Sequence, residues 1–267
     1  MSNKVLKPKK ASLYQFTQKY SNNIDNCIEF FKSMKWPEGF SCDRCGCHKY
    51  YLVKRVGKTK TSYVLECSSC HKQHSLLSGT IFQSCKLDLY KLLLGIFLFF
   101  NENKGISAIE LCSILDVNYK TALLLESKCR ILMSLSNSDK LLNSLFYEAD
   151  VFNIGARSKN KAGRASEQQP ILGILSTDKE NNYPRFIKLR LITDYTGLSL
   201  KKNIEKCCVL SHDALFNTDG EKGFNTLNEE IQVKNEKISY EERDHRLLWL
   251  NIIIGNIKNN ITGIYHG

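Results

Sequence analysis

The sequence predicts a multidomain protein that combines α+β and α/β architecture. It would contain a cysteine-paired ribbon, a helical bundle and a C-terminal α/β domain with a mixed sheet. Two Cys-x-x-Cys pairs lie within residues 36–82, among short β-prone runs. Residues 86–133 are predicted to be helical throughout. Beyond residue 145 strand patterns come first and helices follow, in a chain whose 267 residues allow two or three compact units.

Charge is unevenly distributed along the chain. The net charge of +11 divides into +9 for residues 1–149 and +2 for residues 150–267. A basic N-terminal half suits a phosphate backbone, although a solvated basic surface would have the same composition. The 42% hydrophobic content supports packed cores and argues against global disorder.

Neither secretion nor membrane insertion is expected. The N-terminus has no signal-peptide pattern, so the eleven cysteines indicate a reducing compartment rather than a disulfide framework. The most apolar run, residues 89–100, is too short for a bilayer and contains Lys91, which favours a buried helix.

Residues 1–35 are interpreted as an N-terminal arm followed by a short helix. The arm, residues 1–20, is basic and polar. The helix is predicted over residues 25–34, because apolar residues recur on one side. Those residues are Cys27, Ile28, Phe30 and Phe31.

Residues 36–82 are predicted to form a zinc ribbon. Cys42 and Cys45 form one Cys-x-x-Cys turn, and Cys67 and Cys70 form a second about twenty residues later. Tetrahedral zinc takes four soft ligands, and each such turn offers two thiolates to the same ion. With all four positions filled by protein, this zinc would be structural.

Other nearby residues complicate the choice of ligands. Cys47 competes with Cys45, but a Cys42–Cys47 pair would break the turn geometry, so Cys45 is preferred. Three histidines are interpreted as surface residues rather than ligands: His48, His71 and His74. Six further cysteines in apolar contexts are interpreted as core thiols: Cys27, Cys85, Cys112, Cys129, Cys207 and Cys208.

Residues 83–136 are predicted to contain a helix-turn-helix. Ser107 and Glu110 form a capping box at a helix start, and the helix ends near Leu115. A second helix starts after the break at residues 116–118, and Lys120 and Thr121 at its N-terminal end would face DNA. Helical hairpins also occur in protein cores, so the pattern alone leaves both interpretations open. A linker is expected over residues 135–144.

The C-terminal region is predicted to form strands at residues 145–154, 170–175 and 185–193. The third alternates, and one face is expected to be buried; that face carries Ile187, Leu189 and Leu191. A helix around residues 199–208, a short strand that ends at Asp219 and a long helix around residues 244–260 are expected to follow.

Acidic and polar residues in this region could converge on a divalent metal. Glu148 and Asp150 share one face of a strand, and Asp219 closes a second strand. Asn251 and Lys258 lie seven residues apart on one face of the last helix. Magnesium accepts few carboxylates together with phosphate oxygens and water. Spacing alone is weak evidence, since Asp-Gly commonly marks a turn and a helical Asn is commonly solvated.

Several segments, in order, resemble ISXO2-like insertion-sequence transposases. In the first half these are WPEGFSCDRC (residues 36–45), SGTIF (78–82) and NYKTA (118–122). The second half adds EAD (148–150) with IG (154–155), KNKAGR (159–164), TDGEKGF (218–224), HRLLWLN (245–251), NIK (256–258) and TGIYHG (262–267). The resemblance runs from about residue 25 to the C-terminus.

The resemblance implies a ribonuclease-H-like catalytic domain over residues 145–267 with an Asp-Asp-Asn-Lys set. Asp150, Asp219 and Asn251 would hold magnesium or manganese, and Lys258 would bind a phosphate or position the DNA end. The implied function is an insertion-sequence transposase that binds element ends in double-stranded DNA and catalyses strand cleavage and strand transfer. A homo-oligomer in the DNA complex and a cytoplasmic, nucleoid-associated location are expected.

Two departures from the family pattern leave room for a second interpretation, although neither removes a presumed ligand. Val151 stands where many relatives have a second acidic residue, and Ala156 where a second glycine is common. The alternative is therefore an inactive DNA-binding regulator derived from a transposase; a stand-alone nuclease is a third possibility. Asp213 and Asp194 are rivals for the second aspartate, but the Gly-x-x-Gly-Phe pattern after Asp219 favours Asp219.

Overall fold

The computed structural model describes residues 12–57, 61–102, 105–138, 140–155, 168–178, 183–220, 222–227, 232–235 and 247–265. The chain divides into two compact units between Met133 and Ser134. The predicted fold class is confirmed, because a cysteine cluster lies in the first unit and a mixed sheet in the second. Among the helices in the described ranges, none has both the length and the apolar character needed to cross a membrane.

Within the described ranges, the first unit combines a three-stranded antiparallel sheet with five helices. The strands, in the order β1-β2-β3, are β1 Tyr50–Val56, β2 Thr61–Cys67 and β3 Gln73–Ser75. The helices are α1 Leu13–Tyr20, α2 Ile24–Lys35, α3 Leu89–Asn101, α4 Ala108–Leu115 and α5 Tyr119–Ser138. A single hydrophobic cluster contains residues of the ribbon and of all five helices, so the two regions share one core.

Three expectations for this unit were wrong in detail. Residues 13–20 form a helix rather than a loose arm, because Phe16 is buried and stacks on Phe97 with ring centroids 4.2 Å apart. The segment 86–133 is not helical throughout: α3 begins only at Leu89, where the Asp88 side chain accepts the Lys91 N–H. Helix α5 continues to Ser138, into the expected linker.

The predicted helix-turn-helix elements are confirmed. Ser107 and Glu110 form the reciprocal capping box at the start of α4. Asp116 ends that helix in the left-handed region, with φ of 49°. The Asn118 side chain then accepts the Thr121 N–H at 2.8 Å, which starts α5. Because the polar caps are local, the sequence alone predicts this turn.

The second unit is built on a five-stranded mixed sheet in the order β6-β5-β4-β7-β8. Its strands are β4 Phe146–Ile154, β5 Gln169–Asp178, β6 Tyr183–Leu191, β7 Leu215–Thr218 and β8 Gln232–Asn235. Strands β4, β5 and β6 pair antiparallel, whereas β7 pairs in parallel with both β4 and β8. The helical elements in the described part of this unit are α6 Gly197–Glu205, a 3-10 helix Lys222–Leu227 and α7 Leu248–Tyr265.

The two faces of this sheet bury separate hydrophobic clusters. Tyr147 and Ala149 of β4 join residues of α6 on one face. Phe152 joins Leu250 and Ile254 of α7 on the other. Since side chains alternate along a strand, Glu148 and Asp150 lie on the same face as Phe152, beneath α7.

The expected buried face of β6 was wrong. Leu189 and Leu191 are exposed, Leu191 by 71%, while Lys188 on the opposite face is buried. Strand β6 lies at the edge of the sheet, and its residue Ile187 packs against the hydrophobic cluster beneath α7. Alternating apolar residues show which side chains share a face of the strand. Which of them are buried depends on how much of that face the helix covers.

Candidate functional site

Four thiols of the first unit converge at the ends of the ribbon. The Sγ atoms of Cys42, Cys45, Cys67 and Cys70 all lie within 4.8 Å of one another. Cys42 lies 3.6 Å from Cys70, and Cys45 lies 3.5 Å from Cys67. A tetrahedron with Zn–S bonds of about 2.3 Å has edges of about 3.8 Å. The group therefore fits a structural zinc ion.

Among these thiols, Cys42 has electrostatics that favour the metal-binding form. The pKa of Cys45 and that of Cys67 are instead raised by burial and by hydrogen bonds with other thiols of the group, against the lowering effect of backbone N–H groups. Burial raises the pKa of the Cys42 thiol, but the backbone N–H groups of Arg44 and Cys45 oppose this effect. Together with side-chain hydrogen bonds they lower the pKa of Cys42 to about 6. A thiolate is the form that binds a metal. Cys47 lies outside the group, with its Sγ 3.5 Å from the Ser68 hydroxyl.

The interpretation of all three histidines as surface residues was wrong for His74. His48 and His71 are exposed, but His74 is only 7% exposed and its ring packs edge-on against Phe40. His74 also shares a second candidate metal group with Cys42 and Asp43. The four-cysteine group is favoured because it supplies four soft ligands. The period-2 alternation of a three-residue strand was too short a signal to reveal this burial.

The six further cysteines lie in or against hydrophobic clusters. Four of them are buried: Cys27, Cys129, Cys207 and Cys208. Cys85 and Cys112 are half-buried and pack against the core of the first unit.

The residues expected to face DNA lie at the start of α5. Lys120 is exposed. Thr121 is half-buried, and its hydroxyl donates to the Asn118 side chain at 3.0 Å. Lys120 is therefore free to reach a phosphate or a base edge, whereas Thr121 is engaged in the cap of its own helix.

Two carboxylates meet across the parallel pair β4/β7 in the second unit. Ala149 lies opposite Thr218, so the next residue of each chain segment, Asp150 and Asp219, lies at the same level of neighbouring strands. Burial and repulsion by Asp219 raise the pKa of Asp150 to about 7. The Val151 N–H donates to Asp150 Oδ1 at 2.7 Å and opposes this shift. A half-buried carboxylate beside an exposed one that repels it fits a site for a divalent cation.

Helix α7 carries the two remaining predicted residues. Lys258 lies close enough to Asp150 to lower its pKa, and its Nζ is 5.8 Å from the centroid of the Phe152 ring. Asn251 is exposed in the first turn of α7 and has no side-chain hydrogen bond to any described residue. The structure thus brings Asp150, Asp219 and Lys258 together, but it gives no contact between Asn251 and the aspartates.

Two neighbours of the carboxylate pair, Glu148 and Gly173, lie outside the predicted Asp-Asp-Asn-Lys set, although the sequence placed Glu148 on the same strand face as Asp150. Glu148 is only 4% exposed, and its Oε2 accepts the Leu250 N–H at 2.8 Å. Burial raises the pKa of Glu148 to about 7, against the opposing effect of the Leu250 and Trp249 N–H groups. Gly173 pairs with Asp150, and a Cβ there would lie 3.3 Å from Leu250 Cδ1. This glycine lets α7 pack closely onto the sheet.

The rival aspartates lie elsewhere. Asp194 precedes α6, and its Oδ1 accepts at 2.9 Å the N–H of Thr196, the N-cap residue of that helix. Asp213 is exposed and precedes β7, whereas Asp219 follows it. Ala156 and the segment 159–164, both part of the resemblance, lie outside the described residues.

Comparison with known families agrees with both halves of the chain. Residues 23–73 match the transposase zinc-ribbon domain, and residues 146–267 match the ISXO2-like transposase domain. No curated protein matches the chain. The two matches contain the four-cysteine group and the carboxylate pair, respectively. The family predicted from the sequence is confirmed, and the chain belongs to the ISXO2-like transposases.

Proposed function

We propose that the protein is an active insertion-sequence transposase, which binds element ends and catalyses metal-dependent strand cleavage and strand transfer. The observation that carries this proposal is the pairing of Asp150 with Asp219 across β4 and β7. An inactive DNA-binding regulator does not need a half-buried Asp150 whose repulsion by the exposed Asp219 costs stability. The order of the mixed sheet, three antiparallel strands followed by two parallel ones, supports the ribonuclease-H-like domain that the resemblance implies.

In this proposal each residue has a separate task. Asp150 and Asp219 hold Mg²⁺ or Mn²⁺, and Asn251 adds a neutral amide oxygen. Bound divalent ions supply charge neutralisation at the reacting phosphate and lower the pKa of an attacking water or hydroxyl. Lys258, which is exposed and already close to Asp150, binds a phosphate of the DNA end. The catalytic contribution of the protein is mostly positioning and electrostatic stabilisation.

DNA binding is assigned to the first unit. The four-cysteine group binds structural zinc, and the exposed N-terminal end of α5 presents Lys120, with Thr121 beside it, to the major groove. The net charge of +9 over residues 1–149 supports contact with phosphates. Because two element ends must be joined, the active form is a homo-oligomer on DNA.

The test uses a supercoiled plasmid that carries both ends of the element encoding this chain. Asp150→Ala and Asp219→Ala are expected to lower strand cleavage by a factor of about 10²–10³ or more, with end binding unchanged. Asp213→Ala is the matched control, because this aspartate is exposed and lies at the other end of β7. Cleavage at the wild-type rate by either site variant would contradict the proposal and favour the regulator.

A further inference from the structure

The start of α7 is held by a residue that is distant in sequence. The Leu247 C=O accepts the Asn251 N–H at 2.9 Å, so Leu247 occupies the N-cap position of this helix. The first N–H groups of a helix have no partner within the helix, and an N-cap side chain normally accepts one of them. Leucine has no acceptor, so its side chain cannot perform this role.

Glu148 supplies the missing acceptor. Its Oε2 accepts the Leu250 N–H at 2.8 Å across 102 residues of sequence, and the Trp249 N–H also donates to this carboxylate. These two N–H groups are the ones that an N-cap side chain would satisfy. The negative charge also lies at the positive end of the helix dipole. Glu148 therefore caps α7 from the central strand of the sheet.

This contact joins the two elements that carry the proposed catalytic residues. Glu148 lies two residues before Asp150, on the same face of β4. Leu250 is fully buried and immediately precedes Asn251. One hydrogen bond thus fixes the register between the strand that bears the first aspartate and the helix that bears the amide and Lys258.

We propose that Glu148 is a positioning residue, which fixes the start of α7 on β4 so that Asn251 and Lys258 face the Asp150–Asp219 pair. The inference rests on the proposed function, because it concerns the same metal site. It adds to that function a residue that acts through the backbone of α7 and does not itself bind the metal. Its two contacts are with backbone N–H groups, so its oxygens are directed at the helix.

The experiment compares two neutral side chains of similar length in the full chain. Glu148→Gln keeps an oxygen that can accept the Leu250 N–H, whereas Glu148→Met fills the same space without such an acceptor. Mn²⁺ affinity is measured by titration without DNA, and plasmid cleavage is measured at saturating Mg²⁺. Hydrogen exchange reports the amides at the start of α7. Glu126→Gln, a buried glutamate of the other unit, is the matched control.

The expected result separates the two variants. Glu148→Met should weaken Mn²⁺ binding by about 10-fold or more, as substitutions of residues that orient metal ligands do. Exchange should accelerate at Trp249 and Leu250 but not in β4 or β5. Glu148→Gln should stay within about 3-fold of the wild type, and a rescue of this kind distinguishes positioning from direct ligation.

Three outcomes would overturn the inference. Glu148→Met could bind Mn²⁺ and cleave DNA like the wild type, even with faster exchange at α7. Glu148→Gln could be as defective as Asp150→Ala, which would make Glu148 a ligand. If Glu148→Met does not fold, Glu148→Asp replaces it, since this carboxylate falls short of the Leu250 N–H by one methylene. Wild-type Mn²⁺ affinity in Glu148→Asp would then refute the role.

The Asp150→Ala variant separates this inference from the proposed function. If Asp150→Ala binds Mn²⁺ like the wild type, the proposed metal site fails. If Asp150→Ala loses Mn²⁺ but Glu148→Met retains it, the metal site stands and the positioning role alone is refuted.

Discussion

Replacement of Asp150 by asparagine should stabilise the second unit in the absence of metal. Burial and repulsion by Asp219 raise the pKa of Asp150 from its ordinary value of 3.8 to about 7 in the folded protein. The pKa of Asp150 is higher in the folded protein than in the unfolded chain. The contribution of this residue to the free energy of unfolding is therefore largest below about pH 4 and is lost as the pH rises to about 7. Asparagine resembles the protonated carboxyl and removes this loss.

The magnitude follows from the two pKa values. A difference of 1.36 kcal/mol per tenfold change in proton affinity sets a ceiling of about 4 kcal/mol at pH 8. Asp150 is partly accessible to solvent, which screens the repulsion and reduces the expected gain to about 2 kcal/mol. The gain should vanish near pH 4, where the wild-type carboxyl is protonated.

Urea unfolding in EDTA at pH 4 and at pH 8 measures this effect. The chain has two tryptophans, and a Trp36→Phe background leaves Trp249 to report the second unit. Asp213→Asn serves as the control at an exposed aspartate and should change little. Added Mg²⁺ should stabilise the wild type but not Asp150→Asn. If Asp150→Asn is no more stable than the wild type at pH 8, the proposed repulsion between the carboxylates is refuted.

Three shorter predictions concern zinc, DNA and packing. Cys67→Ser should release zinc and unfold the ribbon, and a stoichiometric zinc content by metal analysis would contradict this. Lys120→Ala should weaken binding to element ends and reduce the salt slope by about 1, whereas unchanged affinity at matched salt would remove it from the interface. Gly173→Ala would bring a Cβ to 3.3 Å from Leu250 and Phe152 and should destabilise the second unit by about 1–3 kcal/mol in urea. If the free energy of unfolding of Gly173→Ala equals that of the wild type, α7 can shift away from the added methyl group without loss of stability, and the packing argument is refuted.

Features encoded by neighbouring residues were predictable from the sequence. The capping box of Ser107 and Glu110 and the Asn118 cap need only a few consecutive residues. The paired cysteines carry their own turn geometry, and the four sulfurs converge as their spacing indicates. In each case the interacting residues are close together in the sequence or have a fixed spacing, so the sequence alone is sufficient to predict the feature.

Features that depend on packing between distant segments were not predictable. The contact of Glu148 with Leu250 spans 102 residues, and no local pattern marks a glutamate as the cap of a remote helix. His74 is buried because the rings of Trp36 and Phe40 cover it. The exposure of Leu191 likewise depends on how far α7 extends over an edge strand, which alternation does not record.

The register of β4 also changes the meaning of a departure from the family pattern. Val151 stands where many relatives have an acidic residue, which could indicate a decayed copy. Its side chain, however, lies on the face opposite Asp150 and packs against the hydrophobic cluster that contains Tyr147 and Phe216. An acidic residue at 151 in this fold would face that cluster rather than Asp219. Valine at this position therefore removes no group from the carboxylate pair and gives no support to the inactive alternative.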